Sequence, residues 1–201
     1  MNKYSGLSKT GHNDFDRDGA LLLTNFLDIS NLQRKPDEKN QLCVYSNNGL
    51  TFQLESDLQI LGSSETYRHP ALKESFFIVK NKIEKILNKR LYQTYYFDRF
   101  YFNQQELEYH SDRPACQISV SIHIGSSDSN QWPFYIETPD KRIIDFTLAP
   151  GDAVLYKGTE CPHWRKPIKS GSDDYYHQTF MHYVLQDGHF AEYAFDKGTD
   201  M

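Results

Sequence analysis

His110 and Asp112 stand one residue apart, just ahead of a run in which Cys116, Ile118, Val120, Ile122 and Ile124 alternate with Gln117, Ser119, Ser121 and His123. In an extended chain residues i and i+2 point to the same side. If strand geometry reaches back through His110, an imidazole and a carboxylate therefore converge on one point. That is two thirds of a metal site. His163, within Thr159-Glu-Cys-Pro-His-Trp-Arg-Lys166, is the best candidate for the third ligand. Two imidazoles and one carboxylate on one face of an ion leave its other positions open, the ligand set of mononuclear non-haem Fe(II) centres. Taken singly, His110 and Asp112 also fit a surface ion pair in a turn, and His163 fits a core histidine bonded to a carbonyl. The three together, each beside a strand, favour the metal.

Strands are needed to bring these residues together. The period-2 run at 116–124 is a strand with one apolar face and one face turned to something polar. Pro150-Gly-Asp-Ala-Val-Leu-Tyr156 reads as a turn and then a strand, placed shortly before His163. The spacing predicts further strands at 92–102, 106–110, 134–138, 143–148, 159–165 and 175–185, in addition to 116–124 and 153–156. Upstream, 19–27 supplies a buried strand and 29–33 a short helical turn after the cap candidates Asp28 and Ser30, followed by a charged loop at 34–40. Strands at 42–45 and 50–54 flank Asn48-Gly49, a type I′ hairpin signal. One long helix is predicted over 70–90. Pro70 sits in its first turn, and Leu72, Phe76, Val79, Ile83, Ile86 and Leu87 form one face. Lys80, Lys82, Lys85 and Lys89 fall elsewhere, as a solvated surface. Many short strands at near-regular spacing define a mainly β, α+β architecture, a sandwich or barrel braced by the helix.

At 201 residues the chain fits one domain, with residues 1–18 as a loose polar arm and the core strands at about 92–185. Its 22 basic and 27 acidic residues give a net charge of −5, with no broad basic face, which argues against nucleic acid as a partner. Cys43, Cys116 and Cys161 are odd in number and lack CxxC spacing, so a disulfide framework is not expected and a reduced, cytoplasmic setting is. No apolar run approaches 18 residues and the N-terminus lacks an apolar leader, so neither secretion nor membrane spanning is expected.

With these residues in place the sequence resembles the Fe(II)/2-oxoglutarate-dependent dioxygenases, in their prolyl-4-hydroxylase-like branch. The resemblance rests on Tyr95-Tyr-Phe-Asp-Arg-Phe-Tyr101, Leu107-x-x-His-x-Asp-Arg-Pro114, the segment from Cys116 to Ser121, Trp132-Pro133, Pro150 to Tyr156, His163-Trp-Arg165 and Gln178-Thr-Phe-Met-His-Tyr-Val184. It spans roughly residues 19–184. It implies a double-stranded β-helix (jelly-roll) core with the long helix and short N-terminal strands as support. It also implies His110, Asp112 and His163 as ligands of Fe(II), with 2-oxoglutarate and O2 as cosubstrates. The implied reaction couples decarboxylation of 2-oxoglutarate, to succinate and CO2, with hydroxylation of a C–H bond, for instance on a prolyl or other side chain of a peptide or protein.

The distal carboxylate of 2-oxoglutarate needs a cation, for which the planar guanidinium is well shaped. Relatives often place Arg or Lys about ten residues after the second histidine, but 170–176 holds neither. Arg165, on the face of His163 if the strand continues, is the expected anchor, with Arg113 second. Arg165 also fits a rim pair with Glu160. Tyr101 is a further candidate for that carboxylate, and Gln178 and His182 are candidates to line the pocket. Lys166 to Asp174 has the composition of a flap over the site. Two other readings compete. One is a non-catalytic structural zinc module using His110, Cys116, Cys161 and His163. The other is a cupin-like β-sandwich that binds a small molecule or partner without metal.

Overall fold

The computed structural model describes residues 11–36, 41–45, 51–54, 59–128 and 131–196. Among them are two α-helices, α1 (Gly11–Asp18) and α2 (Lys73–Leu87). The strands are β1 (Ala20–Leu23), β2 (Gln41–Tyr45), β3 (Thr51–Leu54), β4 (Ser64–Tyr67), β5 (Leu91–Phe102), β6 (Leu107–His110), β7 (Ile118–Ser126), β8 (Phe134–Glu137), β9 (Ile143–Phe146), β10 (Ala153–Tyr156), β11 (His163–Arg165) and β12 (Tyr175–Leu185). They form an eight-stranded sheet in the order β1-β10-β7-β12-β5-β4-β2-β3 and a four-stranded sheet in the order β6-β11-β8-β9. From β5 onward the chain passes repeatedly from one sheet to the other. That winding is a double-stranded β-helix, the jelly roll expected above.

The alternation along β7 sorts the interior. Ile118, Val120, Ile122 and Ile124 face outward into a core shared with Phe76, Val79, Ile83 and Leu87 of α2 and with Met181 and Tyr183 of β12. Burying each such side chain contributes about 1.5–3 kcal/mol, which fixes α2 on the large sheet. The helix follows a 3-10 turn at Pro70–Leu72 and ends where Asn88 adopts the left-handed conformation (φ 50°). A second core fills the space between the sheets, with Tyr101, Trp132, Phe134, Tyr156 and Tyr176 among its members. Ser119, Ser121 and His123 point into that space and are buried there. The Pro150-Gly-Asp152 turn is confirmed: Gly151 has φ 87°, and the Asp152 carboxylate accepts from the N–H groups of Asn25 and Ala149 at 2.8 and 3.0 Å.

Several expectations are corrected. The loose arm over 1–18 gives way at Gly11 to helix α1, whose Phe15 is buried in the outer core, while residues 1–10 lie outside the described residues. Residues 29–33, by contrast, form the brief turn expected of them, in which the Asp28 carboxylate accepts from Ser30 N–H at 3.0 Å. β11 is shorter than 159–165, because Pro162 interrupts it. The flap reading of 166–174 fails at Ile168, which is buried and exchanges backbone hydrogen bonds of 2.8 Å with Gln104 and Gln105. β2 and β3 pair antiparallel as a hairpin, and the Asn48-Gly49 turn itself lies outside the described residues. None of the helices among the described residues is long and apolar enough to cross a membrane.

Candidate metal and cosubstrate site

β6 and β11 are neighbours in the small sheet, and His163 pairs directly with His110. Their rings stand 4.4 Å apart, centroid to centroid. Asp112 follows the end of β6, where its N–H donates to Gly158 O at 2.9 Å. Asp112 Oδ1 lies 3.7 Å from His110 Nε2 and 3.6 Å from His163 Nε2. These separations are too long for hydrogen bonds. They approach the roughly 3–3.4 Å between ligand atoms that each sit about 2.1 Å from a shared ion.

The remaining polar atoms of the triad are tied to the protein. His110 Nδ1 donates to Glu108 O at 2.8 Å and His163 Nδ1 donates to Cys161 O at 3.0 Å, which leaves the lone pair of each ring on Nε2. Asp112 Oδ2 accepts from Ser119 Oγ at 2.9 Å, which leaves Oδ1 for an ion. Burial pushes the His163 pKa down, with the Asp112 charge opposing, so the ring is held in its neutral, ligating form. Donor type, tautomer and aim all fit a divalent metal.

The triad opens into a cavity of about 230 Å³ walled by Tyr67, Tyr95, Phe97, Tyr101, Phe180 and His182, with Arg99 and Arg113 among its charged members. Arg113 lies over the Tyr95 ring at 4.4 Å. Arg165 is on the inner face with His163, as the i+2 rule required, but does not itself line the cavity. It is 1 % exposed, so the rim pair with Glu160 is excluded; Glu160 approaches Lys157 instead, at 3.5 Å. The Arg165 guanidinium donates to Trp132 O and, at 2.7 Å, to Gln178 Oε1, while Gln178 Nε2 donates to Ser121 Oγ. It is ringed by Trp132, Phe134 and Tyr176 at 4.5, 5.1 and 5.3 Å. Among the described residues no carboxylate lies within ion-pair distance of it. Tyr101 packs edge-on against the same Trp132 ring at 4.8 Å and stands at the cavity wall.

No local pattern in the sequence marks Arg99. It reaches the cavity wall from β5, but its charge is matched by Glu65 of β4 at 2.5 Å. The signal was hidden because β4, Ser-Glu-Thr-Tyr, has no apolar alternation and is recognised only through its pairing with β5. The four ligands of the zinc reading are not assembled. Cys161 Sγ packs beside Gly19, and burial raises its thiol pKa to about 11. Cys116 instead falls in a second potential ligand group, with Asp112 and His182.

The winding of the two sheets is the architecture of a set of solved 2-oxoglutarate Fe(II) oxygenases. No family model matches the sequence, and no curated protein matches it. Solved structures do. A 2OG-Fe(II) oxygenase family oxidoreductase from Burkholderia pseudomallei matches with a TM-score of 0.62 at 11% identity, covering 87% of this chain and 89% of that one. HygX from Streptomyces hygroscopicus, solved with nickel and 2-oxoglutarate bound, matches with a TM-score of 0.60 at 12% identity, covering 89% and 87%. A prolyl hydroxylase from Trichoplax adhaerens, in complex with a hypoxia inducible factor peptide fragment, matches with a TM-score of 0.53 at 13% identity, covering 85% and 86%. At these identities the likeness is one of architecture.

Proposed function

We propose that the protein is an Fe(II)- and 2-oxoglutarate-dependent dioxygenase that hydroxylates a C–H bond. One observation carries the reading: Nε2 of His110, Nε2 of His163 and Oδ1 of Asp112 face one another, while the second polar atom of each group is held by the protein. Fe(II) on this triad would supply open positions for 2-oxoglutarate and O2. The chain's own part is to hold three donors on one side and to keep the buried His163 imidazole neutral. It must also supply a cation for the distal carboxylate of 2-oxoglutarate, and that role goes to Arg165, which stands one layer behind the cavity wall on the Trp132 ring that Tyr101 also contacts, a buried charge with only neutral acceptors around it. Gln178 orients its guanidinium, Tyr101 offers a hydroxyl from the cavity wall, and Arg113 guards the rim. The substrate is placed in the peptide or protein class, with a prolyl or other side chain entering between Tyr67, Tyr95, Phe97 and Phe180. The likeness to prolyl hydroxylases and the aromatic wall support this. Three cysteines with no disulfide among the described residues suit a reducing compartment such as the cytoplasm.

The test is to load purified protein with Fe(II) and 2-oxoglutarate without oxygen, record the visible charge-transfer band, and then admit O2 and measure succinate. Band and succinate are expected from the wild type, and neither from Asp112→Ala. Folded, metal-loaded wild type that gives neither would overturn the proposal.

A further inference from the structure

The residue fixing the metal-binding carboxylate is one that no ligand motif contains. Ser119 is fully buried in β7, and its Oγ lies 2.9 Å from Asp112 Oδ2, 2.9 Å from His182 Nδ1 and 3.1 Å from Cys116 O. A hydroxyl has one proton to give. The carboxylate and the carbonyl can only accept, so that proton goes toward them, and the charged oxygen is the shorter and stronger acceptor. His182 Nδ1 must then be the protonated nitrogen, donating to a lone pair of Ser119 Oγ. The result is a directed chain from His182 Nδ1–H through Ser119 Oγ–H to Asp112 Oδ2.

We propose that Ser119, oriented by His182, is the positioning residue that confines Asp112 to a single ligand oxygen. The proposal rests on the metal reading of the triad given above. A carboxylate turned to bind through both oxygens would take a position that the cosubstrates need; with Oδ2 engaged, only Oδ1 faces the histidines. Two features make the chain rigid. His182 and Ser119 are direct cross-strand partners of β12 and β7, and the His182 ring packs against both Tyr95 and Phe97, at 4.6 and 5.8 Å. On the other side the Gly158 backbone closes over the junction, where an added Cβ would strike Asp112 Oδ2, Cys116 O and Ser119 Oγ together. The carboxylate is thus boxed by a hydroxyl on one side and bare backbone on the other.

The experiment measures Mn(II) affinity calorimetrically, with the band maximum of the Fe(II)–2-oxoglutarate complex as a second readout. The variants are Ser119→Ala, Ser119→Thr, His182→Leu and His182→Asn, whose amide N–H can replace Nδ1–H. Loss of an outer partner of a metal ligand typically weakens binding 10–100-fold. Ser119→Ala is expected in that range with a shifted band. Ser119→Thr is expected near the wild type, His182→Leu several-fold weaker, and His182→Asn restored. Ser119→Ala binding within threefold of the wild type, with an unmoved band, would overturn the proposal. So would His182→Asn behaving like His182→Leu. Should Ser119→Ala fail to fold, the His182 pair decides. Wild type that binds no Mn(II) would instead sink the metal reading beneath it.

Discussion

Arg165→Met separates a cosubstrate anchor from a structural cation by the signs of two measurements. In the folded protein the guanidinium donates to two neutral acceptors, Trp132 O and Gln178 Oε1. Such hydrogen bonds to a charged group contribute about 1.5–3 kcal/mol each. The three surrounding rings add about 0.5–2 kcal/mol apiece. Against these stands the cost of burying an ion, several kcal/mol, with no carboxylate partner among the described residues to offset it. The two sides are of the same order. Methionine, unbranched and polarizable, fills the same aromatic slot. Without 2-oxoglutarate the variant should therefore unfold within about 2 kcal/mol of the wild type, by urea titration. With 2-oxoglutarate the charge becomes paired, and truncating one partner of a buried charge pair costs about 2–5 kcal/mol. Affinity for 2-oxoglutarate in the presence of Mn(II) should then fall about 30- to 5,000-fold, read from quenching of tryptophan fluorescence. Arg99→Met is the contrast. It strands Glu65, which is 3% exposed, and should cost about 3–5 kcal/mol of stability whatever ligand is present. Unchanged 2-oxoglutarate affinity in Arg165→Met, or a stability loss as large as that of Arg99→Met, would refute the reasoning.

Three further outcomes are expected. Gly158→Ala, whose Cβ meets the backbone oxygen of Cys116 as well as the Asp112 carboxylate, should lose about 1–3 kcal/mol and at least tenfold in Mn(II) affinity; normal affinity would show that the carboxylate is not confined there. Cys161→Ser should leave Mn(II) and Zn(II) binding unaltered in calorimetry, because the thiol faces Gly19, away from the triad; lost binding would revive the zinc module. His123 is buried, and desolvation pulls its pKa to about 4, below the ordinary 6.5 of the unfolded chain. The unfolded state therefore binds the proton first, and the stability present above pH 6.5 declines as pH falls toward 4. At pH 4.5 the loss is about 2–3 kcal/mol. Urea midpoints of the wild type and His123→Leu should diverge over that window, and parallel curves would rule His123 out as the source.

The triad was readable because it obeys the shortest-range rule in the chain, the period of two, supplemented by a turn and a second histidine at a strand. Asp112 itself lies past the end of β6, held by Gly158 O rather than by strand geometry, so its placement beside the imidazoles owes more to the loop after β10 than to its spacing from His110. The same i+2 logic serves for Arg165, inside β11, and does not extend back to Cys161, one of the ligands of the zinc reading. Residues 159–162 are not extended, so Cys161 and His163 face different neighbours. Ser119 looked like the polar side of an alternating strand, and no local pattern distinguishes it from Ser121. Its role depends on His182, 63 residues away, and contacts at that separation leave no trace in spacing. β4 was missed for a related reason: Glu65 and Thr66 are buried only because β5 supplies partners for them.

Helix α2 touches none of the triad, yet it bears on the site through register. β7 and β12 pair from Tyr183↔Ile118 to Tyr176↔Ser126, with Val120, Ile122, Met181 and Tyr183 turned toward α2 and Ser119, Ser121, Gln178 and His182 turned inward. A slip of one residue would put the serines against the helix and the isoleucines beside the His-Asp-His triad, losing both faces at once. The site geometry should therefore be all-or-none and should not soften gradually as the outer core is weakened. Ile83→Ala tests this, since Ile83 is fully buried and its truncation costs about 2–5 kcal/mol. At about 2–4 °C per kcal/mol the melting temperature should drop by about 4–20 °C. Mn(II) affinity measured well below the transition should stay within about threefold of the wild type, because the register that sets Ser119 opposite His182 is unchanged. An affinity that declines in step with stability across a series of such outer-core truncations would show that the ligands are held by graded packing, and that the ladder between β7 and β12 does not by itself secure them.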